Sequence, residues 1–301
     1  MSRSGFAAII GAPNAGKSTL VNRLVGSKVS IVTHKVQTTR FPVRGVMMHG
    51  DAQVVLVDTP GIFAPKRRLD RAMVQSAWEG ATDADAVVHL VDARAWAGQG
   101  DRAEDEAIIA RLKALGKKAI LALNKIDLVD RPALLGAAKA LFDLGVYSDV
   151  LMISGLNGDG VGQLADMLAA KMPEGPFLFP ADQAADMPVR LLAAEVTREK
   201  LMLRLHQEIP YQLTVETETW EQHKNGSVKV EQMIHVAREG HRSIVLGKAG
   251  QTIKEIGMAA RKELAGILGR PVHLFLRVKV SERWQENRER YSALGLDFDA
   301  Q

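Results

Sequence analysis

The chain has 301 residues, of which 47% are hydrophobic and 25% are charged, and its formal net charge is +4. This length allows two globular domains, and the small net charge excludes a polycation. The absence of cysteine excludes disulfides, thiol catalysis and Cys-ligated zinc. The sequence has no secretory signal pattern, and no apolar run approaches the ~18 residues needed for a membrane span. We therefore expect a soluble, cytoplasmic protein.

Short apolar runs alternate with helical patterns over the first 170 residues or so. Most runs are apolar on both faces, as strands buried in a parallel sheet are. We predict strands at residues 6–10, 43–48, 52–57, 86–91, 119–123 and 149–153, and helices near 17–25, 69–80, 101–115, 131–142 and 160–171. The alternation predicts a doubly wound, mostly parallel α/β domain over residues 1–172, with right-handed crossovers.

The first apolar run leads into a glycine-rich loop, GAPNAGKST, at residues 11–19. The loop fits the pattern G-x-x-x-x-G-K-[ST], in which successive backbone N–H groups and the start of a helix hold phosphates. Lys17 is the candidate for the β- and γ-phosphates, and the Ser18 hydroxyl is the candidate for Mg²⁺. The predicted nucleotide-binding residues of the loop are Gly11, Ala12, Pro13, Asn14, Ala15, Gly16, Lys17, Ser18 and Thr19. The loop indicates a nucleoside triphosphate without selecting its base.

A second motif follows the strand at 52–57 and consists of Asp58, Thr59, Pro60 and Gly61. An aspartate at the carboxyl end of a strand can reach Mg²⁺ through water, and the Gly61 N–H can face the γ-phosphate. The same four residues also make a good turn, so this motif alone leaves both interpretations open.

The base is indicated by residues that follow the last two strands of the domain. The Asp127 carboxylate can accept hydrogen bonds from guanine N1–H and the 2-amino group, and adenine has neither donor on that edge. Lys125 can lie over the base plane, and Asn124 can brace the surrounding loops. Ser154 and Gly155 form a weaker motif whose N–H groups could meet guanine O6. All these sites follow strand ends, where such sheets bind ligands. Together with the guanine preference of Asp127, this placement favours GTP.

Two loops are candidates for sensing the γ-phosphate. In the loop at residues 28–40, Thr39 and Thr38 are the candidate Mg²⁺ ligands, and Thr39 is preferred. Residues 61–69 form the matching second loop, and both loops are expected to order with GTP and relax after hydrolysis. We favour a solvated face over a partner contact for the basic residues at 66–68.

The position after D-x-x-G is Ile62, where many GTPases carry a glutamine that orients the attacking water. Pro13 would also narrow the entry for an arginine finger. We therefore expect slow intrinsic hydrolysis, helped by a monovalent cation such as K⁺ near Asn14 or by a bound partner. The candidate catalytic residues are Lys17, Thr39, Gly61 and Asn14.

The pattern changes after the first domain. Residues 173–190 contain four prolines and no periodicity, which predicts a linker. We predict an α+β domain over 191–301. Its expected elements are a helix near 190–207, a β-ribbon at 211–220 and 227–238, a short strand at 243–246, a helix at 250–268, a strand at 272–280 and a last helical stretch at 282–294.

The second domain contains a G-x-x-G motif, made of Gly247, Lys248, Ala249 and Gly250. Alone this motif is a weak signal, since a plain turn also explains it. The order of elements around it is that of a type II KH fold, in which such a loop clamps nucleic-acid backbone. Residues 238–290 hold 12 basic and 6 acidic side chains, which supports an RNA-binding face that includes Lys254.

Taken together, the two halves resemble the Era family of GTPases. The resemblance rests on GAPNAGKST (11–19), QTTR (37–40), DTPG (58–61), NKID (124–127) and the segments 199–211, 245–264 and 271–280. It implies a ribosome-assembly factor that binds Mg²⁺, GTP and GDP, the 3′ end of 16S rRNA and the 30S subunit, with some peripheral association with the membrane. We expect a monomer. Ala12, Ala15 and Gly155 depart mildly from the family pattern, which could alter nucleotide affinity.

Two other interpretations are weighed against this one. A signalling GTPase with a C-terminal protein- or membrane-binding domain would share every nucleotide motif. A P-loop kinase acting on a small molecule would use ATP, and Asp127 argues against ATP.

Overall fold

The computed structural model describes residues 2–300, which form two compact units. The first unit contains residues 2–186 together with 291–300, and the second is Met187–Arg290. Within the described residues, no helix is both long enough and apolar enough to cross a membrane.

The first unit is an α/β domain whose elements follow the alternation of the sequence. They are β1 (Arg3–Ile10), α1 (Lys17–Val25), β2 (Val43–His49), β3 (Ala52–Asp58), α2 (Arg68–Asp83), β4 (Ala86–Asp92), α3 (Ala103–Ala114), β5 (Ala119–Asn124), α4 (Arg131–Phe142), β6 (Tyr147–Met152) and α5 (Val161–Lys171). The strand order is β2-β3-β1-β4-β5-β6. Only β2 runs antiparallel, paired with β3. The predicted doubly wound, mostly parallel sheet is confirmed.

The sheet is covered by helices on both faces, which explains why its strands are apolar on both faces. Along β1, Ala7 and Ile9 pack into a core with α1 and α5, whereas Ala8 and Ile10 pack into a second core with α2, α3 and α4. Alternate side chains of a strand point to opposite faces, so a strand between two helical layers must be apolar throughout. Because both faces of the sheet are covered, the polar residues of the predicted motifs lie at the ends of the strands and in the loops that follow them.

The segment predicted as a linker, 173–190, is docked on the first unit as far as Asp186. Ala184 accepts a backbone hydrogen bond from Val46 (2.9 Å), and the Asp186 N–H donates to Arg44 (3.0 Å) on the edge of β2. The buried Gln53 side chain of β3 accepts hydrogen bonds from the N–H groups of residues 178 and 179 at 2.8 and 2.9 Å. The prolines exclude a helix here, but the backbone still pairs with the sheet edge. The first unit thus extends to residue 186 rather than 172, and the second unit begins at Met187 rather than at 191.

The second unit is α+β, as expected, and has its own core. Its elements are α6 (Val189–Arg204), β7 (Leu213–Gln222), β8 (Val228–Val236), α7 (Glu239–Leu246), α8 (Gln251–Leu268) and β9 (Val272–Val280), and α9 (Arg288–Ala293) begins at its end. The sheet order is β7-β8-β9, with β8 antiparallel to β7 and parallel to β9. Buried residues of α6 and α8, such as Leu201 and Ile256, pack on one face of this sheet.

Three expectations for the second domain were wrong. The strand predicted at 243–246 is the second half of helix α7. His241 and Val245 are buried and lie four residues apart, while Ile244 is 50% exposed, which is a helical pattern. The predicted strand contains only three apolar residues, 244–246, which are too few to show that pattern. The helix predicted at 282–294 is divided into a short 3₁₀ turn at Trp284–Glu286 and α9. Residues 291–300 belong to the first unit and not to the predicted 191–301 domain.

Candidate nucleotide and nucleic-acid sites

The glycine-rich loop joins β1 to α1 in a backbone conformation that its glycines permit. Gly16 precedes α1 with φ +103°, and a Cβ at this position would lie 2.4 Å from the Asn124 amide nitrogen. At Gly11 a Cβ would lie 2.3 Å from the Leu90 carbonyl oxygen. Since real Cβ atoms do not approach polar atoms this closely, both positions require glycine. The loop is therefore held against two neighbouring strands.

Lys17 is buried under the loop that it belongs to. Its Nζ donates to the carbonyl oxygens of Gly11 (3.0 Å) and Ala12 (2.8 Å). Burial lowers the pKa of Lys17 to about 8, although the nearby Asp58 carboxylate acts in the opposite direction. A phosphate next to this amine would favour its charged form, so the site favours the binding of an anion.

Three oxygen-bearing side chains, from the start of α1, the end of β3 and the loop before β2, meet at one point beside the glycine-rich loop. The Ser18 hydroxyl donates to Asp58 Oδ2 (2.7 Å) and lies 2.9 Å from the Thr39 hydroxyl. Thr39 also donates to Asp58 Oδ2, at 3.3 Å. The other carboxylate oxygen, Oδ1, is buried without a hydrogen-bond partner among the described residues. Burial raises the pKa of Asp58 against these hydrogen bonds.

This donor set fits Mg²⁺, a hard cation that prefers oxygen ligands and keeps water and phosphate in its shell. The structure also distinguishes between the two candidate threonines. The Thr38 hydroxyl donates to the Lys35 carbonyl oxygen (2.7 Å) and contacts the Thr33 hydroxyl (2.6 Å), so it stabilises its own loop. Only Thr39 of this pair reaches Ser18 and Asp58.

The loops enclose a cavity of about 480 Å³. Its walls are the glycine-rich loop, residues 32–39, Gly61, Arg94 and Lys125. The exposed Asn14, with φ +62°, lies on this wall and is the candidate for a cation. The cavity is of the size that small ligands and cofactors occupy.

The segment after β3 approaches the glycine-rich loop closely. A Cβ on Gly61 would lie 3.0 Å from Pro13 Cα. The Ile62 N–H donates to the Gly11 carbonyl oxygen (3.1 Å), and its side chain is buried in the core beside α2. Thr59 is buried as well, and its hydroxyl donates to the Ile9 carbonyl oxygen (2.7 Å). Ile62 is thus part of the core and cannot orient a water molecule.

Asn124 joins the two loops that would surround a base. Its amide nitrogen donates to the Ala15 carbonyl oxygen (2.7 Å), and its amide oxygen accepts from the Gly155 N–H (2.8 Å). The buried Ser154 hydroxyl accepts from the N–H of Asn157 at 3.1 Å and tightens the second loop. Asp127 is exposed, and its carboxylate has no partner within residues 2–300. The bracing groups are thus engaged, while the carboxylate remains accessible to a ligand.

Sequence reasoning missed one residue at this rim, Asp92 at the end of β4. Its carboxylate accepts from Lys125 Nζ (2.7 Å) and from two nitrogens of Arg94 (3.0 and 2.6 Å). Burial opposes ionisation, but these hydrogen bonds outweigh it and hold the pKa of Asp92 below its usual value. Lys125 also donates to the Asn14 carbonyl oxygen at 2.6 Å. The only sequence signal was that Asp92 ends a strand, as Asp58 does.

The G-x-x-G motif of the second unit lies between α7 and α8. Gly247 and Gly250 have φ values of +72° and +75°, and a Cβ on Gly247 would lie 2.1 Å from the Thr252 hydroxyl. Ala249 also adopts a left-handed conformation, with φ +51°. The start of α8 therefore lies directly against Gly247, and Lys248 is carried on the intervening turn.

A groove of about 300 Å³ lies between α8 and β9. Its lining combines apolar side chains with Lys254 and Arg261. Met258 and Phe275 are 55% and 52% exposed, which is unusual for large apolar side chains. Apolar or aromatic surface beside basic side chains is the combination that binds bases and phosphates of a single strand. Sequence reasoning missed these two residues, because single apolar residues in a periodic helix or strand normally indicate core.

Family models match both units: one described as a 50S ribosome-binding GTPase over residues 6–125, and a KH domain over residues 208–285. GTPase Era of Caulobacter vibrioides is 62% identical over 307 aligned residues, which cover 99% of this chain and 97% of that relative. The chain belongs to the Era family of GTPases. The resemblance seen in the motifs is thereby confirmed, and with it a guanine-nucleotide-hydrolysing domain followed by a KH domain.

Two solved Era structures match over nearly the whole chain. Era of Aquifex aeolicus bound to GDP·AlF₄⁻ superposes with a TM-score of 0.90 at 37% identity, and the match covers 97% of this chain and 99% of that one. An Era complex with MgGDPNP and nucleotides 1506–1542 of 16S ribosomal RNA gives a TM-score of 0.91 at 38% identity, covering 98% and 99%. The first ligand mimics phosphoryl transfer, in agreement with GTP hydrolysis by this Era-family enzyme.

Proposed function

We propose that the protein is a GTP-dependent RNA-binding switch that binds 16S rRNA near its 3′ end and assists assembly of the 30S subunit. The observation that carries the proposal is the presence, on one chain, of a phosphate-binding loop with its oxygen ligands and a G-x-x-G loop with its groove. A related Era protein holds MgGDPNP and a 16S rRNA fragment together. A cytoplasmic location and a monomeric state are part of the same proposal. Peripheral membrane association stays an expectation from the resemblance.

In this proposal the residues of the first unit bind and orient GTP. Lys17 would exchange its two carbonyl partners for phosphate oxygens, because the negative charge stabilises its ammonium form. Ser18 and Thr39 would hold Mg²⁺, with Asp58 acting through water. The ion would supply charge neutralisation at the β- and γ-phosphates. Asp127 would select guanine, and Asn124 would keep both base-contacting loops in place.

Hydrolysis is proposed to be slow without help. Ile62 is packed in the core, so no side chain at this position orients the attacking water. The exposed Asn14 amide lines the nucleotide cavity and is our proposed ligand for K⁺. Equal GTP turnover in potassium and in sodium, unchanged by Asn14→Ala, would remove the cation from the proposal.

RNA binding is proposed for the G-x-x-G loop, Lys248 and the groove beside Lys254. The test is crosslinking of the full-length protein to rRNA, with the double variant Gly247→Asp/Lys248→Asp compared with the unchanged chain. We expect the crosslink to vanish while GDP binding persists, because these residues belong to a unit with its own core. A crosslink that persists in the variant would favour a signalling GTPase whose C-terminal domain binds protein or membrane.

A further inference from the structure

The last ten described residues, 291–300, which we name the C-terminal segment, are packed against the unit that contains the nucleotide site. Tyr291, Leu296 and Ala300 are buried. The rings of Tyr291 and Phe298 meet edge to face with centroids 5.0 Å apart, a favourable arrangement of aromatic side chains. The segment is therefore a packed element of the nucleotide-binding unit.

The C-terminal segment contacts one face of α2. The Arg68 guanidinium lies 4.2 Å from the centroid of the Phe298 ring. Arg71 Nε donates to the Ala300 carbonyl oxygen at 3.3 Å, and the Gln75 amide donates to Asp297 at 3.4 Å. Positions 68, 71 and 75 are three and four residues apart, so they share one face of a helix. The sequence predicted a solvated basic face at 66–68. In the structure, the Arg68 guanidinium also contacts the Phe298 ring.

The same first turn of α2 also holds both loops that sense the γ-phosphate. The buried Asp70 accepts from the backbone N–H groups of Lys66 (3.1 Å) and Arg67 (2.9 Å) through Oδ2. Its other oxygen accepts from the Gln37 side-chain amide at 2.8 Å. Gln37 lies two residues before Thr39. One carboxylate therefore joins the loop that carries Thr39 to the loop that carries Gly61.

We propose that the C-terminal segment is a positioning element for these two loops, with Phe298 as its main contact. Phe298 holds Arg68 and so fixes the start of α2, where Asp70 joins the loops. The segment acts on GTP hydrolysis through α2, because neither Phe298 nor Arg68 lines the nucleotide cavity. The proposal rests on the proposed function, since only a GTP-dependent switch needs its loops held in this arrangement.

Loss of the ring would release Arg68 and loosen the loops in their GTP-bound arrangement. GDP makes no γ-phosphate contact, so its affinity does not depend on that arrangement. The expected effect is therefore selective for the triphosphate. Because a cation–π contact contributes about 0.5–2 kcal/mol, we expect a loss of about 2- to 30-fold in the GDPNP-to-GDP affinity ratio.

The test uses the full-length variants Phe298→Ala and Phe298→Tyr, with Phe142→Ala as the matched control. Phe142 is an exposed aromatic residue at the end of α4, 47% exposed. Affinities for GDPNP and GDP and the single-turnover rate of GTP hydrolysis are measured for each. We expect a lower affinity ratio and a changed rate in Phe298→Ala only, with Phe298→Tyr restoring both. Equal values in Phe298→Ala and Phe142→Ala would overturn the proposal.

A second variant keeps the test decisive if Phe298→Ala does not fold. Arg68→Ala removes the other partner of the contact from an exposed position. We expect it to lower the same affinity ratio, and we expect the added substitution Phe298→Tyr, which keeps the aromatic ring, to change that ratio no further. An unchanged ratio in Arg68→Ala would contradict the positioning role. If both affinities for guanine nucleotides were absent in the unchanged protein, the proposed function itself would fail.

Discussion

The two sites of the molecule are built in opposite ways. In the nucleotide-binding unit, Lys17, Ser18 and Asp58 already bond to neighbours and are wholly or partly buried, so a ligand must take over existing hydrogen bonds. In the second unit, Met258 and Phe275 are more than half exposed along an open groove. The difference indicates that the first site selects a small ligand by geometry and charge, whereas the second offers surface to a flexible strand.

The largest expected effect is a loss of GDP affinity on substitution of Gly16, where the nucleotide site has no room for an added Cβ. Gly16→Ala places a Cβ 2.4 Å from the Asn124 amide and forces φ +103° on alanine. Because this displaces Asn124 from both loops that it braces, we expect GDP affinity to fall about 100-fold or more, from a cost near 3 kcal/mol. Titration with a fluorescent GDP analogue measures it.

Gly136→Ala in α4 is the matched control, because a Cβ there meets no atom within 4 Å. It should leave GDP affinity unchanged. A similar loss of affinity in both variants would show that the rigidity of the glycine-rich loop is not the cause.

A substitution in the G-x-x-G loop should weaken RNA binding without changing GDP binding. Gly247→Ala brings a Cβ to 2.1 Å from the Thr252 hydroxyl at φ +72°. Strain of about 1–3 kcal/mol predicts a loss of about 5- to 150-fold in RNA affinity, with unchanged GDP affinity. Filter binding to an rRNA fragment measures it.

Gly240→Ala in α7 serves as the control, since no atom lies within 4 Å of the added Cβ. Wild-type RNA affinity in Gly247→Ala would exclude this loop from the interface.

The boundary between the two units can be tested at Gln53. Its side chain makes three hydrogen bonds to residues 178 and 179, at 2.8, 2.9 and 2.7 Å. We expect Gln53→Leu to lower the free energy of unfolding by about 2 kcal/mol, because buried polar partners lose their hydrogen bonds. Urea denaturation measures this change, and the exposed Gln163→Leu in α5 is the control. Equal stability of the two variants would mean that the segment is not held by the sheet.

The smallest expected effect is the uptake of a fraction of a proton when GDP binds. Burial lowers the pKa of Lys17 from 10.5 to about 8, and bound phosphate would restore the charged form. GDP binding should therefore take up about a quarter of a proton at pH 7.5 and about three quarters at pH 8.5. Without nucleotide, the unfolded chain binds more protons between pH 8 and 10.5, so this group's contribution to stability rises with pH across that window.

Calorimetry in buffers of different ionisation enthalpy measures the proton uptake. Uptake that does not increase from pH 7.5 to 8.5 would contradict the lowered pKa of the amine.

The sequence predicted a site correctly wherever the residues that form it are adjacent in the chain. The glycine-rich loop and the Asn124–Asp127 motif each place a strand end, a turn and a functional group within a few adjacent residues, so their positions followed directly. The α/β fold followed from strands that are apolar on both faces. The weak G-x-x-G motif alone could not establish the KH domain, which was predicted from the order of elements around the motif and then from the family resemblance.

The features that the sequence did not predict depend on partners that are distant along the chain. Asp92 gains its importance from Lys125, 33 residues later. The docking of residues 173–186 depends on the edge strand β2 and on the buried Gln53 side chain of β3, which periodicity within the segment cannot show. The contact between Arg68 and Phe298 joins positions 230 residues apart. Helix α7 was missed because its run of three apolar residues, 244–246, fits a strand and a helix equally well.

The central claim is that the nucleotide in the first unit controls RNA binding by the second. The most direct test compares binding of the full-length protein to 30S particles and to isolated 16S rRNA 3′ fragments, each with GDPNP and with GDP. The account predicts binding at least about tenfold tighter with GDPNP than with GDP, a coupling near 1.4 kcal/mol. Equal affinities in the two nucleotide states would contradict it.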